Sequence, residues 1–392
     1  MINPSTTGWV EKFIIESSFK KQSVFDEDQY YNQLRTTGFL FGNTLNTDSE
    51  NELLIIEKSK VSYLQALYGI YHVTQKTNVN FVENCNLFFE KISPSRSNVL
   101  QKLLPKISSE VLLEKYITDR FSLNENLISK NLTHFSTNAF LFIDVLAFQK
   151  NLLEATLPDN YFKKIEQTII SVITLALKNK SEQSASDALM IKYFEGSIRY
   201  SKISEITILD INQLKLDVLT NNLEKKYCID IACLTFWNDK KMENSEIYFL
   251  HKLAELLGVD QDFVYICIQE TDELISKNIL DIPFLNTNNS FKNYYSQTNQ
   301  KVTTLLLRNK KRILKEIGES KELMQLLVAS TSRDLQSHEK KKVKTQLLDI
   351  CKTIPSLTIF LIPGGSLLLP LLIKFIPKLL PSSFNENLNN DN

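Results

Sequence analysis

Histidine and cysteine are the side chains on which a metal site or a nucleophilic site in this chain would depend, because imidazole and thiolate groups serve both chemistries. No two of the four histidines stand at ligand spacing on one helix, and no two of the five cysteines form a Cys-x-x-Cys pair. An odd number of cysteines without such pairs is typical of a reducing compartment. We therefore predict no metal, no cofactor and no catalytic residue. The residues concerned are His72, His134, His251, His338, Cys85, Cys228, Cys233, Cys267 and Cys351.

Motifs that bind phosphate or expose a nucleophile are missing from the sequence. It contains no Gly-x-Gly-x-x-Gly, no P-loop and no Gly-x-Ser-x-Gly. Each of these motifs needs glycine to let the backbone approach a phosphate or to form a sharp turn under a nucleophile. The sequence consequently predicts a protein that is not an enzyme.

A positively charged stretch is the main binding signal. Lys and Arg total 45, as do Asp and Glu, but twelve basic residues stand against five acidic ones between Lys301 and Lys344. Such a surface attracts anionic lipid, at about 1 kcal/mol for each cation near the membrane. RNA is not expected, because no aromatic residues for base stacking are interleaved; a solvated charged face is the other interpretation. The predicted lipid-facing residues are Arg308, Lys310, Lys311, Arg312, Lys340, Lys341, Lys342 and Lys344.

A run of twenty residues without a charge, from Ile354 to Ile373, follows the basic stretch. About 20 helical residues span the apolar core of a bilayer, which is about 30 Å thick. Each internal proline, however, removes a helix hydrogen bond that lipid cannot replace. A kinked span, a shallow hairpin and a hairpin buried against protein are all compatible with this pattern. The segment is defined by Ile354, Pro355, Pro363, Gly364, Gly365, Ser366, Pro370, Lys374 and Pro377.

Helices are expected to position the basic stretch and the apolar run. The chain has only 9 glycines and 10 prolines, and apolar residues recur at helical spacing, as at Leu64, Leu67, Tyr68 and Tyr71. We predict an all-α, multi-helix bundle. Its predicted divisions are an N-terminal helical domain at 1–200, a three-helix unit at 201–282, a linker at 283–300, basic helices at 301–344, a proline-broken apolar helical segment at 345–384 and a polar tail at 385–392.

The three-helix unit at 201–282 has a readable pattern of helices and turns. An apolar helix ends at Phe236, Asn238-Asp239-Lys240 forms a polar turn, Glu246 lies in the first turn of the next helix, and Leu253 to Gly258 closes that helix. This pattern resembles the tellurite-resistance-type (TerB-like) helical domain, which implies a partner-binding module. The family's turn often reads Ala-Asp-Gly. Here Lys240 places a positive charge beside the would-be oxygen ligands, so no metal is expected.

The apolar segment resembles the membrane segment of the mitochondrial leucine-zipper EF-hand transmembrane (LETM) family. The matching residues are Ile354-Pro355, Ile362-Pro363, Leu368-Leu369-Pro370, Lys374-Phe375, Pro377 and Leu379-Leu380-Pro381-Ser382-Ser383-Phe384. The resemblance implies a membrane segment and, as a family property only, ribosome binding. We expect the family's EF-hand loop and its ribosome-protein-like domain to be absent. The combination is similar to the bacterial LETM-related, biofilm-associated proteins.

Ser366 bears on ion transport. The family commonly has an acidic residue at this position, and a carboxylate within a membrane can couple its protonation to cation movement. A serine hydroxyl does not titrate near neutral pH. The resemblance therefore does not extend to ion exchange by a single subunit of this chain.

The sequence as a whole predicts a membrane-associated, non-enzymatic helical scaffold or sensing protein of the LETM-related type at a bacterial inner membrane. Basic residues ahead of the apolar run would keep the N-terminal body in the cytoplasm. The expected partners are anionic lipids of the inner leaflet, an unidentified protein and further copies of the chain, but not nucleic acid. One alternative is a cation-transport-related membrane subunit whose pore is lined by Ser366 and Lys374. The other is a soluble, cytoplasmic interaction protein with a buried C-terminal hairpin.

Overall fold

The structure is a computed structural model that describes the chain as helices. The residues described are 2–19, 26–41, 55–77, 79–92, 107–125, 133–183, 187–188, 191, 194–195, 210–237, 242–278, 302–303, 305–354, 357, 372, 375–376 and 379. No β-strand occurs within these ranges, which confirms the predicted all-α fold there. The predicted linker at 283–300 and polar tail at 385–392 lie outside the described residues.

The helices follow the apolar periodicity of the sequence. Short 3-10 turns occur at Phe39–Phe41 and Ile211–Gln213. The α-helices are α1 (Trp9–Phe19), α2 (Glu27–Thr36), α3 (Ile55–Gln75), α4 (Phe81–Ile92), α5 (Ser109–Glu125), α6 (Thr133–Glu154), α7 (Tyr161–Asn179), α8 (Asn222–Phe236), α9 (Asn244–Leu257), α10 (Gln261–Asn278), α11 (Lys310–Gly318), α12 (Lys321–Ser332) and α13 (Ser337–Thr353).

Helices α3 and α6 form the centre of the N-terminal part. They pack along each other, and α2 packs on α3. Helices α4 and α5 pack against each other over this pair, and α1 lies on α5. Aromatic rings fill the space between them. The ring of Tyr63 on α3 lies 5.8 Å from Phe121 and 6.2 Å from Phe39, both measured between centroids. Such aromatic pairs add about 0.5–1.5 kcal/mol each beyond the burial of their surface.

Helix α7 joins this core to the three helices α8, α9 and α10, because it packs on α6, α8 and α9. The start of α8 is fixed by Glu224, a buried carboxylate that accepts hydrogen bonds from the backbone N–H of Thr220 (2.7 Å) and Asn221 (2.9 Å) and from the hydroxyl of Tyr161 (2.7 Å). These bonds satisfy N–H groups that a helix start otherwise leaves unpaired.

The predicted end of α9 is confirmed at Gly258, whose φ of 64° is left-handed backbone that glycine adopts without steric cost. The N-cap of α9 is Glu243, whose backbone N–H donates to the carboxylate of Glu246 at 3.0 Å. Glu246 lies in the first turn of the helix, as the sequence predicted.

Helices α11, α12 and α13 pack on one another at the C-terminal end of the described chain. Helix α13 runs through residue 344, where the sequence had placed the boundary between the basic helices and the apolar segment. Val343, Leu347 and Ile350 explain the continuation, because they form one buried stripe at i, i+4 and i+7. The first part of the apolar segment is therefore the last part of a basic helix.

Gly69 marks the tightest helix contact in the N-terminal part. A methyl group added there would lie 2.4 Å from Cε2 of Tyr30, which is itself held by a 2.5 Å hydrogen bond from its hydroxyl to the carbonyl of Ala66. We expect Gly69→Ala to lower the free energy of unfolding by about 1–2 kcal/mol in a denaturant titration. Overpacking costs about 1–3 kcal/mol, and the better helix propensity of alanine returns up to about 1 kcal/mol of that.

Gly318→Ala is the matched control, because Gly318 ends α11 with no atom within 4 Å of the added methyl group. It should leave stability unchanged or raise it by up to about 1 kcal/mol. Equal effects of the two substitutions would show that α2 and α3 do not pack as closely as the structure has them.

Candidate functional site

The C-terminal three-helix unit, α11 to α13, is built around a small apolar interior. Ile313 and Ile317 of α11 are buried, together with Leu327 of α12 and Leu347 of α13. Ser320 caps α12 by accepting a hydrogen bond from the backbone N–H of Leu323 at 3.2 Å, and its side chain also contacts that of Gln346 at 3.0 Å. Because Ile313 and Ile317 point to this interior, the polar residues of α11 face solvent.

The basic residues at the start of α11 are exposed and unneutralised. The residues are Arg308, Lys310, Lys311, Arg312 and Lys315, which we call the α11 basic surface. None of the five makes an ion pair within the part of the chain that the structure describes. Leu307, 55% exposed, stands immediately before them. This surface joins concentrated positive charge to one exposed apolar side chain.

Some basic residues elsewhere in the unit are engaged by acidic neighbours. Lys342 of α13 lies 2.5 Å from Glu322 of α12, and Arg333 lies 2.6 Å from Glu339. Hydrogen bonding from Arg333 lowers the pKa of Glu339 to about 2. Lys321, Lys340 and Lys341 make no ion pair in the described structure, so α11 carries the largest group of unpaired cations among the unit's described residues, but not all of them.

Lys344 requires a correction within the predicted lipid-facing set. Its side chain is buried, with 3% of its surface exposed, and it has interactions within the protein. The reason is its position on the buried side of α13, next to Val343. Lys341 and Lys342 are exposed and Lys340 is half-buried, so the structure leaves these three lysines accessible.

The described residues of the apolar segment are packed inside the protein. Ile354, Leu357, Leu372 and Ile376 are each at most 2% exposed, and Leu379 is 7% exposed. No helix among the described residues is long and apolar enough to cross a membrane. Of the predicted segment residues, Pro355, Pro363, Gly364, Gly365, Ser366, Pro370, Lys374 and Pro377 lie outside the described residues.

Sequence reasoning missed a buried ion pair that joins the N-terminal part to α8 and α10. The guanidinium of Arg35, only 1% exposed, donates from Nε and Nη2 to the two carboxylate oxygens of Asp230 at 3.0 and 2.9 Å, and from Nη1 to Glu270 at 2.7 Å. The Tyr31 hydroxyl donates to Asp230 at 2.6 Å, and the Cys267 thiol donates to the same carboxylate at 2.8 Å. We call these five residues the Asp230 cluster.

Charge balance within the Asp230 cluster keeps Arg35 ionised. Burial, the largest single effect, lowers the pKa of the Arg35 guanidinium, but Asp230, Cys267 and Tyr31 together outweigh it and raise the pKa of Arg35. Burial and the same carboxylate raise the pKa of Tyr31 well above its usual value, so this hydroxyl stays a donor. Arg35, Tyr31, Asp230 and Cys267 are buried and hydrogen-bonded to one another, while Glu270 is half-buried at the edge, which is the arrangement of a structural clamp.

A second buried ion pair has the same composition. Arg120 of α5 donates from Nε to Asp144 of α6 at 2.9 Å, and the hydroxyl of Tyr63 on α3 donates to the same carboxylate at 2.8 Å. Asp144 is fully buried. The sequence does carry a signal for both ion pairs, which is an acidic residue between apolar ones inside a helix. It occurs in Ile143-Asp144-Val145 and in Ile229-Asp230-Ile231.

The five cysteines are all buried and unbridged. Burial raises the pKa of Cys228 and Cys351 to about 12 and that of Cys85 well above its usual value. Since the thiolate is the reactive form, we expect a thiol reagent at pH 8 to modify none of the cysteines in the folded protein and all of them after unfolding. Rapid modification of one cysteine in the folded state would contradict the burial seen here.

No group of three His, Cys, Asp or Glu residues is placed to hold a metal ion in the described ranges. His251 instead contacts the side-chain oxygen of Gln261 through Nδ1 at 2.5 Å, and its ring lies edge-on to Tyr265 with centroids 5.0 Å apart. His338 is exposed and His72 is half-buried.

Comparison with known proteins connects the C-terminal end of the chain to one family. Residues 335–392 match the family model described as "LETM1-like, RBD". The match supports a LETM1-like relationship for this part of the chain. It spans α13 and the apolar segment, the region whose proline pattern predicted that relationship. Its description names the RBD of such proteins, whereas we expected the chain to lack the ribosome-protein-like domain.

Searches of curated proteins and of solved structures gave no significant match. The LETM1-like match also lies outside the helices α8 to α10, so their TerB-like resemblance stays a prediction.

Proposed function

We propose that this protein associates with an anionic membrane surface through the α11 basic surface and that its helical body serves there as a non-enzymatic scaffold. One observation carries the proposal. Five exposed cations lie between residues 308 and 315 without an ion pair in the described structure, while nearby Lys342 and Arg333 are paired with acids. Five unpaired cations close together in the sequence form a surface that is suited to a negatively charged partner.

The expected strength of this contact is moderate. At about 1 kcal/mol for each basic residue at the headgroups, five cations contribute up to about 5 kcal/mol. The attraction decays over a Debye length, which is about 8 Å at physiological salt. Binding of this size is reversible and salt-sensitive, and stable membrane attachment generally needs a second contribution.

Leu307 supplies a small apolar contribution at the right place. It is 55% exposed and precedes Arg308 in a helical stretch at 305–308. A leucine that enters the headgroup region removes apolar surface from water, which is worth about 25 cal/mol for each Å² buried. Basic residues around an exposed leucine are the composition of helices that lie in a membrane interface.

The apolar segment supports a peripheral contact in preference to a span, because Ile354, Leu357, Leu372 and Ile376 already pack inside the protein. The LETM1-like match at 335–392 supports a relationship to membrane-associated proteins. We place the protein at the cytoplasmic face of a bacterial inner membrane, where anionic lipids provide the complementary charge.

Vesicle flotation tests the proposal with the intact chain. We expect the protein to float with vesicles of phosphatidylcholine and phosphatidylglycerol at low salt, to be released by high salt, and to stay behind with vesicles of phosphatidylcholine alone. Flotation that ignores both lipid charge and salt would show insertion through apolar residues instead. Absence of flotation with the anionic vesicles would overturn the proposal.

A further inference from the structure

An exposed pair of tyrosines distinguishes the helical hairpin α9–α10. Tyr248 of α9 is 70% exposed and Tyr265 of α10 is 61% exposed. His251 lies one turn after Tyr248 and contacts the ring of Tyr265, with centroids 5.0 Å apart. Gln261 fixes this histidine, since its side chain also donates to the His251 carbonyl at 3.3 Å. His251 and Tyr265 are therefore held in contact, and the exposed Tyr248 lies one helical turn away on α9.

Acidic residues surround this aromatic surface. Residues 242–278 contain eight Asp and Glu against two Lys, a net charge of −6. Some of these acids are used internally, as Glu246 is in its cap and Glu270 is with Arg35. Glu255 and Asp262 are exposed; Glu255 pairs with Lys252 at 3.0 Å, and Asp262 lies three residues before Tyr265 on the same helical face. We call Tyr248, His251, Tyr265, Glu255 and Asp262 the hairpin face.

The chemistry of the hairpin face selects a basic partner. Tyrosine rings attract Lys and Arg cations through their π-electrons, at about 0.5–1 kcal/mol for an exposed contact. The exposed carboxylates of Asp260 and Asp262 add Coulombic attraction that steers association, and Glu255 adds less because it is paired with Lys252. A partner that carries several cations and a small apolar side chain on one helix would satisfy both.

The α11 basic surface has that composition, and its cations are free in the described structure. We propose that the hairpin face of one copy of this chain binds the α11 basic surface of a second copy. The proposal rests on the proposed scaffold function and names its protein partner as the chain itself. The complementary charges of −6 over residues 242–278 and five unpaired cations at 308–315 are the observation that selects this partner.

The expected assembly is open-ended. Because the two surfaces differ, a pair of copies still has a free hairpin face on one copy and a free α11 on the other. A heterologous contact of this kind forms chains unless its rotation closes a ring. Anionic lipid competes for the same α11 cations. Lipid-bound copies would therefore expose their hairpin faces to further copies arriving from solution.

Analytical ultracentrifugation of the intact chain in lipid-free buffer tests the self-association. We expect the average mass to rise beyond that of a dimer with concentration and to fall when salt is added. An interaction of about −5.5 kcal/mol has a Kd of about 100 μM. The inference is overturned if the protein stays monomeric up to that concentration.

Charge exchange tests the surfaces themselves. A hairpin variant (Glu255→Lys, Asp262→Lys) and an α11 variant (Lys310→Glu, Lys311→Glu) should each self-associate at least tenfold more weakly than the intact chain. Mixing them should restore association, because the native α11 of the hairpin variant can bind the native hairpin face of the α11 variant. Unchanged association of either variant, or no recovery on mixing, overturns the inference.

Two further measurements keep the result interpretable. Circular dichroism melts establish that both variants fold, and Tyr265→Ser weakens the hairpin face without changing its charge, so it should reduce association severalfold. The hairpin variant should still float with anionic vesicles as the intact chain does. Its flotation separates failure of the self-association from failure of the membrane proposal.

Discussion

Replacing Asp230 by alanine is expected to lower the free energy of unfolding by about 3–5 kcal/mol. The substitution leaves the guanidinium of Arg35 ionised at 1% exposure without its main partner, and removal of one member of a buried ion pair has this magnitude. It also strands the hydroxyl of Tyr31, which donates to the same carboxylate. Chemical denaturation monitored by circular dichroism measures the loss.

Glu270→Ala provides the control on the same arginine. Glu270 also pairs with Arg35, at 2.7 Å, but its side chain is 31% exposed. Water can replace much of this contact, so the loss should be clearly smaller than that of Asp230→Ala. If the two substitutions destabilise the protein equally, the Asp230 cluster is not the enclosed clamp between α2 and α8 that the structure shows.

Replacing the three consecutive cations of α11 by glutamine (Lys310→Gln, Lys311→Gln, Arg312→Gln) is expected to weaken binding to anionic vesicles about 100-fold. The estimate follows from about 1 kcal/mol for each cation at the headgroups, together about 3 kcal/mol, with about 1.4 kcal/mol for each factor of ten. Stability should hardly change, since all three side chains are exposed and unpaired in the described structure. Titration with vesicles of phosphatidylcholine and phosphatidylglycerol gives the affinity.

A matched variant removes three positive charges from the same unit (Arg333→Gln, Lys342→Gln, Lys352→Gln). These cations are paired with Glu339, Glu322 and Asp349, at 2.6, 2.5 and 2.6 Å respectively. The net charge changes by the same amount as in the α11 variant, but the binding loss should be less than about tenfold. Equal losses would mean that vesicles sense the net charge of the protein and that α11 has no special role.

The helices could be predicted from the sequence because their apolar residues recur at helical spacing and few glycines or prolines interrupt them. The left-handed Gly258 at the end of α9 was readable for the same local reason. The α11 cations are exposed, because their neighbours Ile313 and Ile317 take the buried side of a short helix; that they face lipid stays a prediction.

Local patterns mark the aspartates of the buried ion pairs but could not predict their arginine partners. Arg35 and Asp230 are 195 residues apart in the sequence, and a single arginine on α2 is typical of a solvated helix face. The same limit applies to Lys344. Its place in a run of lysines predicted an exposed side chain, but the packing of α13 buries it. Burial of a charge depends on which helices meet, and helical periodicity alone does not specify that.

The fate of the apolar segment also depends on tertiary packing. A run of twenty uncharged residues is compatible with lipid and with a protein interior, since both exclude water. The structure favours the interior at Ile354, Leu357, Leu372 and Ile376. The membrane contact we propose consequently lies on α11, outside the most apolar part of the sequence.

Fractionation of bacterial cells that express the intact chain or its α11 glutamine variant tests the membrane proposal most directly. We predict that the intact chain sediments with the membrane pellet and is released by salt or carbonate, while the variant moves to the high-speed supernatant. An intact chain found in the supernatant, or a variant that stays in the pellet as firmly as the intact chain, would contradict attachment through α11.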